Sequence, residues 1–343
     1  MSDKIGVVTI GRNEGERLIR CFRSLQTQLP ADMPIVYVDS GSTDSSVAKA
    51  EAMGIEVVNL DMSVPFTMPR GRNAGFQYLL TNHPDLEFVQ FIDGDCELLP
   101  NWLDTALEFI KRDPQLAVVC GRRRERFPEK SPYNRLAEME WNTPVGEAEA
   151  CGGDALMRVA AIKEVGGYNP AMICGEEPEM CIRLRRQGWR IWRIDADMTL
   201  HDAAMLQFSQ WWKRSIRGGW AVAEGYAMYG NSPEQYMRRE YKSGWLWGLI
   251  IPVLAIALAI PTWGLSVLLL LLGYGVLAFK VYRYRSQAYE DALAEARLYG
   301  MYCTLSKFPQ MIGQAKYWLN RMQNKPATLI EYKESTAAAP PTS

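Results

Sequence analysis

The chain has 343 residues, 48% of them hydrophobic, enough to enclose a substantial core and far from the composition of a disordered protein. Its 38 Lys and Arg nearly balance 39 Asp and Glu, so no net charge draws it to nucleic acid, and nucleic acid is not an expected partner. Seven scattered cysteines without paired C-x-x-C spacing, beside only two histidines, exclude both a disulfide framework and a closed zinc site.

Elements along the first 120 residues follow a simple rhythm. The apolar runs IGVVTI, IVYVD, IEVVNL, FVQFID and LAVVCG alternate with helical segments of about a dozen residues, EGERLIRCFRSLQ, DSSVAKAEAMG, MPRGRNAGFQYLL and NWLDTALEFIKR. That pattern predicts an α/β domain of parallel strands joined by crossover helices. No basic, then apolar, leader precedes the first strand, so the domain is expected to stay in the cytoplasm. Residues 121–150 break the rhythm and are expected to cross one face of the sheet. Order resumes with CGGDALMR, a short helix ending at Gly166-Gly167, and a helix opening on Glu176, Glu177 and Glu179 and closing on arginines before Gly188. A strand ending in His201 completes a first domain over residues 1–204.

The remainder has a different character. Residues 205–244, containing WWKRSIRGGW, read as an interfacial amphipathic connector. From Trp245 to Phe279 no charged residue occurs, and PTWG divides the run into halves at the short limit for a bilayer crossing. A two-helix transmembrane or re-entrant hairpin over 245–280 is expected, its basic flanks (Arg238, Arg239, Lys242; Lys280, Arg283, Arg285) keeping both ends on the cytoplasmic side. Residues 281–343 read as an amphipathic helical region, a support for a homo-oligomer, followed by a frayed tail, KESTAAAPPTS. Anchorage in the cell inner membrane, with membrane lipids as partners, follows.

Polar residues cluster where the strands end, the edge at which ligands collect in open α/β sheets. Asp93-Gly94-Asp95 closes an apolar strand, and carboxylates so close together call for a cation or donors. Such a pair can hold a divalent ion and a ribose hydroxyl, or simply form a solvated turn, with Asn101 capping the next helix. Asp39 ends the second strand and can accept from a base N–H; Asp44 reads more simply as a helix cap. In PRGRNAG a guanidinium could meet a phosphate or Asp93. Gly152 and Gly153 allow close backbone approach, or a tight turn. Glu177 is the candidate general base against a dipole-compensating alternative, and His201 a candidate metal ligand. The second histidine, His83, reads as structural or exposed. The arginines of GRRRERF could meet a lipid head group or remain solvated.

In order and spacing, TIGRNE, VDSGSTD, RGRNAG, DGD, the glycine pair, GEEPEMCIRL and the histidine resemble the family 2 glycosyltransferases, of the membrane-anchored bacterial type. The resemblance covers about residues 4–205. It implies a GT-A fold, the Rossmann-like nucleotide-diphospho-sugar transferase architecture, followed by a membrane-associated helical region. It implies a nucleotide-sugar donor, UDP-linked by family habit, with Thr9, Asn13, Glu14 and Asp39 around the nucleoside and Arg70 near the pyrophosphate or the metal-site acids. Asp93 would lie at the ribose, Asp95 and His201 at Mn2+ or Mg2+, Gly152 and Gly153 at the donor sugar, and Glu177 would be the base. Family members usually carry Glu-Asp where this chain has Glu176-Glu177. The longer second side chain either sets the acceptor farther out or passes the role to Glu176.

The expected reaction is inverting, metal-dependent sugar transfer to a lipid-linked or membrane-proximal glycan in polysaccharide or glycolipid synthesis. Alternatives are transfer to a polyprenyl phosphate, giving a monosaccharide carrier lipid, a nucleotide-binding membrane scaffold without activity, and a nucleotidyltransferase. Processive polymer export is disfavoured, because Q-x-x-R-W is missing.

Overall fold

A computed structural model describes residues 4–289, 291–325 and 327–331; the expected tail KESTAAAPPTS lies outside the described residues. The described residues form two compact units, one from 4–127 with 140–204, the other from 128–139 with those of 205–331. Segment 128–139, expected inside the first domain, thus belongs with the second unit.

In the first unit, the strands β1 (Ile5–Gly11), β2 (Ile35–Asp39), β3 (Glu56–Asn59) and β4 (Phe88–Asp93) pair in parallel in the order β3-β2-β1-β4. Helices α1 (Glu16–Gln28), α2 (Ser46–Ala52) and α3 (Met68–Asn82) connect them. Val7, Val8, Val36, Val38 and Val89 are fully buried, as strands covered on both faces require. The rest of the sheet departs from expectation. Strand β8 (Ala155–Arg158) lies antiparallel between β4 and β6 (Leu116–Glu125), so the sheet is mixed. Its apolar run ALM is buried like that of a parallel strand, and periodicity carries no information about direction.

Strand β6 also runs past LAVVCG to Glu125, pairing in parallel with β9 (Arg190–His201) through several register shifts. The first residues of the supposed crossing segment are therefore sheet; α5 (Pro132–Trp141) and the short β7 (Gly146–Ala148), antiparallel to β9, follow. A short β5 (Cys96–Leu98) pairs antiparallel with β9, setting Cys96 opposite His201. Helices α4 (Trp102–Lys111), α6 (Val159–Glu164) and α7 (Glu176–Arg186) complete the unit. Asn101 does not cap α4 through its side chain; it stands in the left-handed region with φ 63°.

The second unit is helical: α8 (Phe208–Tyr229), α9 (Arg238–Trp245), a wide helical turn Leu246–Ile250, α10 (Ile251–Ala257), α11 (Leu265–Ala288), α12 (Leu293–Leu305) and α13 (Lys307–Met322). Within the expected interfacial connector, Trp211 packs against Tyr133 and Tyr302, and Trp220 against Tyr317, so these two tryptophans of α8 join this unit's own core, while Leu206 and Phe208 stay exposed. A helical hairpin does form, with α10 and α11 meeting across residues 258–264. Among the described residues only α11 is long and apolar enough to cross a membrane.

Helix α3 approaches the sheet closely at Gly75, where an added Cβ would stand 2.5 Å from a Val8 methyl and 2.9 Å from one of Val38. Gly75→Val should therefore lower the unfolding free energy of the first unit by about 1–3 kcal/mol, read as a reduced urea midpoint with unchanged slope.

Candidate active site

The site grows from the end of β4. There the sheet stops and two carboxylates follow one another, Asp93 and Asp95. Asp93 is met by two arginines: Arg72 at 2.8 Å and Arg123 at 3.2 Å. Burial alone would raise Asp93, but Arg72 and then Arg123 hold its carboxyl below the ordinary carboxylate range. Arg123 also pairs at 2.9 Å with Asp154, which is fully buried, accepts from the backbone N–H of Asp93 and from the Thr199 hydroxyl, and so ties β4, β6, β8 and β9 together.

Arg72 is the hub. At 3% side-chain exposure it reaches Glu176 at 2.7 Å with one prong, and Asp93 at 2.8 Å and Glu177 at 3.2 Å with the other. A guanidinium can do this because its donors fan out in one plane; an ammonium could not hold three carboxylates in the same way. Gly153 is part of the arrangement. A Cβ there would fall 2.4 Å from an Arg72 nitrogen and 2.8 Å from an Asp93 oxygen, so the backbone passes directly over the pair. Gly152, expected beside it at the donor sugar, is exposed with open space around it.

Glu176 and Glu177 open α7, whose first turn also holds Glu179, paired with Arg183 one turn on. Glu176 is 2% exposed and committed to Arg72, whereas Glu177 remains partly open. Burial, and next the neighbouring Glu176 carboxylate, push the Glu177 carboxyl up to about 7. It stands poised between acid and base at neutral pH.

Asp95 lies on the other side of the Asp-Gly-Asp turn. His201, far away in sequence, brings Nε2 to 3.3 Å from an Asp95 oxygen because β5 and β9 pair there. Glu125 lies behind the imidazole, 3.8 Å from Nδ1, and the Trp141 ring packs edge-on at 4.6 Å. The donor atoms of Asp95, Cys96 and His201, and those of Asp93, Cys96 and Asp154, each gather closely enough for one ion. Cys96 is fully buried, and burial, then Asp154, push its thiol well up. A converging carboxylate oxygen and imidazole nitrogen fit a divalent ion such as Mn2+.

The expected nucleoside residues divide. Asn13, with φ 54°, accepts from the backbone N–H groups of Thr43 and Asp44, and its own N–H donates to Ser42, so it latches the loop after β2. Asp39 accepts from Tyr37, Gly41 and Ser42 and shapes the same loop; Asp44 accepts from the backbone N–H of Ser46 at the start of α2, whose N-cap is Ser45. Glu14 pairs with Arg17 at 2.9 Å. Two residues stand elsewhere than expected. Thr9 is fully buried within β1, a strand covered on both faces. Arg70 donates to the carbonyls of Asp61, Val64 and Pro65, closing the preceding loop; Arg72, two residues further along α3, faces the acids. Within GRRRERF, Arg123 belongs to the site, Arg124 pairs with Asp197 at an exposed position, and Arg126 pairs with Glu97.

No signal in the sequence singled out Arg123 or Asp154. Arg123 sits in a basic run that looks like a solvated loop, and Asp154 follows a glycine pair without any motif of its own.

Arg72→Met should remove about 3–5 kcal/mol of stability at pH 7, since three carboxylates would then share a buried space without their cation. Because Arg72 holds Asp93 depressed, its contribution is present at neutral pH and lost as carboxylates protonate. The deficit against the parent chain should shrink as pH falls below about 5 in urea titrations.

Comparison with known proteins agrees with this geometry. Residues 6–166 match the family described as "Glycosyl transferase family 2". The chain is 26% identical over 233 residues to a pre-mycofactocin glycosyltransferase of Mycobacterium tuberculosis, covering 64% of this chain and 47% of the relative. It is 26% identical over 195 residues to the succinoglycan biosynthesis protein ExoA of Rhizobium meliloti, covering 53% and 58%. The chain thus spans about half the length of these curated relatives. Among solved structures, the mannosyltransferase PcManGT of Pyrobaculum calidifontis, in complex with GDP-Man and Mn2+, superposes with a TM-score of 0.63 at 15% identity, covering 93% of this chain and 88% of that one. Residues 6–166 are thus the part of the chain that matches the family 2 glycosyltransferases, and the chain shares the GT-A fold.

Proposed function

We propose that this protein is a metal-dependent inverting glycosyltransferase that moves a sugar from a nucleotide-sugar to a membrane-held glycan acceptor. The observation that carries the reading is the meeting of Asp95 and His201 at 3.3 Å beside the Asp93–Arg72–Glu177 chain of ion pairs. The matching mannosyltransferase, solved with GDP-Man and Mn2+, supports the same chemistry. So do relatives whose names tie them to glycan assembly.

In this reading Asp95 and His201 would hold a divalent ion, which when bound offsets charge on a departing nucleoside diphosphate. Imidazole ligation favours Mn2+ over Mg2+. Asp93, fixed by Arg72 and Arg123, is the acceptor for a ribose hydroxyl. The loop latched by Asn13 and Asp39 frames the nucleoside, uridine or guanosine. Glu177 takes the proton from the acceptor hydroxyl as the new bond forms, and its elevated value suits a base at neutral pH. Glu176, buried against Arg72, is a positioning residue rather than the base. The exposed apolar hairpin supports an acceptor carried by the inner membrane, with the catalytic unit on its cytoplasmic side.

Metal-dependent thermal protection by a panel of nucleotide-sugars tests the donor. A ligand at a hundred times its dissociation constant should add about 2.7 kcal/mol, and the protection should vanish with EDTA or in Asp95→Ala. No protection by any UDP- or GDP-sugar with Mn2+ would overturn the proposal.

Glu177→Gln should lower kcat by about 10²–10⁴-fold with little change in donor KM. Only the deprotonated carboxylate accepts a proton, so the parent rate should climb as pH rises through about 7, and that limb should disappear in the variant. Near-normal kcat in Glu177→Gln would instead favour a polyprenyl-phosphate acceptor, which arrives already ionised.

A further inference from the structure

The second unit carries an apolar surface that the transfer reaction does not use. Along the hairpin, Leu249, Ile250, Val253, Leu254, Ile256 and Ile260 on one arm and Leu265 to Phe279 on the other are exposed at intervals, rising to 92% at Ile260 and 97% at Trp263 on the tip. The turn carries its own hydrogen bonds: the N–H groups of Thr262, Trp263, Gly264 and Leu265 donate to carbonyls within the turn, and the hydroxyls of Thr262 and Ser266 donate to Leu258 and Ala255. Such internal satisfaction is what hydrocarbon demands.

Packing within the unit fixes how far the hairpin projects. Gly248 lies against Lys307 and Met311 of α13, and the Tyr274 ring meets Phe308 while its hydroxyl donates to Trp247. Below that level Gly300 of α12 abuts Ala278, and Arg285 is 4% exposed, paired with Asp291 at 2.6 Å and stacked on Tyr289 and Tyr299. The residues between about 248 and 274 are those that stand clear of the other helices. Ten helical residues from Tyr274 to the tip rise about 15 Å, half of a hydrocarbon core of about 30 Å. Even from Lys280 the rise is only about 24 Å.

Charge points to the same partner. Residues 205–343 hold 15 Lys and Arg against 8 Asp and Glu, which leaves 23 against 31 for residues 1–204. Exposed Arg239, Lys242, Lys280 and Arg283 flank the two arms where they emerge.

We propose that the hairpin 248–274 is a re-entrant anchor that dips into one face of an anionic lipid bilayer and returns without reaching the other, both basic flanks resting on the same charged surface. This rests on the membrane part of the proposed function and not on its chemistry, so an inactive chain would behave alike.

The test uses the full chain in sealed vesicles of mixed phosphatidylglycerol and phosphatidylcholine, with Trp263→Cys probed by a membrane-impermeant maleimide. The described native thiols are buried or half-buried, and the parent chain serves as control. The expected result is protection from reagent on either side, released by detergent. Labelling from the far side would overturn the re-entrant path in favour of a span, and labelling from the near side would overturn insertion. Flotation with pure phosphatidylcholine should be at least about ten-fold weaker, and Lys280→Glu with Arg283→Glu should lose the difference. Ile260→Glu, checked for intact folding by circular dichroism, should abolish flotation. Equal flotation on both lipids, or a soluble dimer of the Trp263→Cys chain whose introduced thiol is shielded without vesicles, would overturn the proposal.

Discussion

The arrangement of the catalytic unit depends on one buried cation. Arg72 reaches carboxylates from β4 and from the first turn of α7, segments far apart in the chain. Without it, Asp93, Glu176 and Glu177 would repel one another in a space that water enters poorly, and the two elements would have no reason to approach. With it, each carboxylate acquires a distinct state. Asp93 is held ionised, Glu176 is immobilised, and Glu177 is left partly open with its carboxyl near neutrality. One guanidinium thus separates the roles of three similar side chains.

The second constraint is the mixed sheet. A purely parallel sheet would have carried β8 in the other direction and moved Asp154 away from Asp93. Reversal of β8 lets Asp154 accept the Asp93 backbone N–H and hold Arg123 behind it. The irregular pairing of β6 with β9, and of β5 with the end of β9, then delivers His201 to Asp95 with Glu125 behind the ring. Register shifts that look like defects in a ladder are what bring acid and imidazole to one point.

In the second unit Trp211 and Trp220 of α8 face inward, while many aliphatic side chains of the hairpin face out. The proposed contact of the hairpin with an apolar phase would account for that contrast.

Much of this was legible in the residues alone. Apolar runs of five or six between amphipathic segments set the α/β class and the first four strands, because burial on both faces leaves no other pattern. Polar residues at strand ends, Asp39, Asp93, Asp95 and His201, marked the edge that ligands use, and the long uncharged run from Trp245 to Phe279 marked the hairpin. Direction and partner choice were not legible. Nothing in ALMR says antiparallel, since buried strands of either sense need the same side chains. Nothing in RGR says that Arg72 rather than Arg70 faces the acids, since that turns on which side of one helical turn meets the sheet. Arg123 and Asp154 escaped notice because a charged residue in or beside a strand becomes meaningful only when its opposite arrives from a distant segment. Sequence determined which local structures form and where carboxylates gather. Tertiary structure decided which charge neutralises which, because that is a matter of distance across the fold.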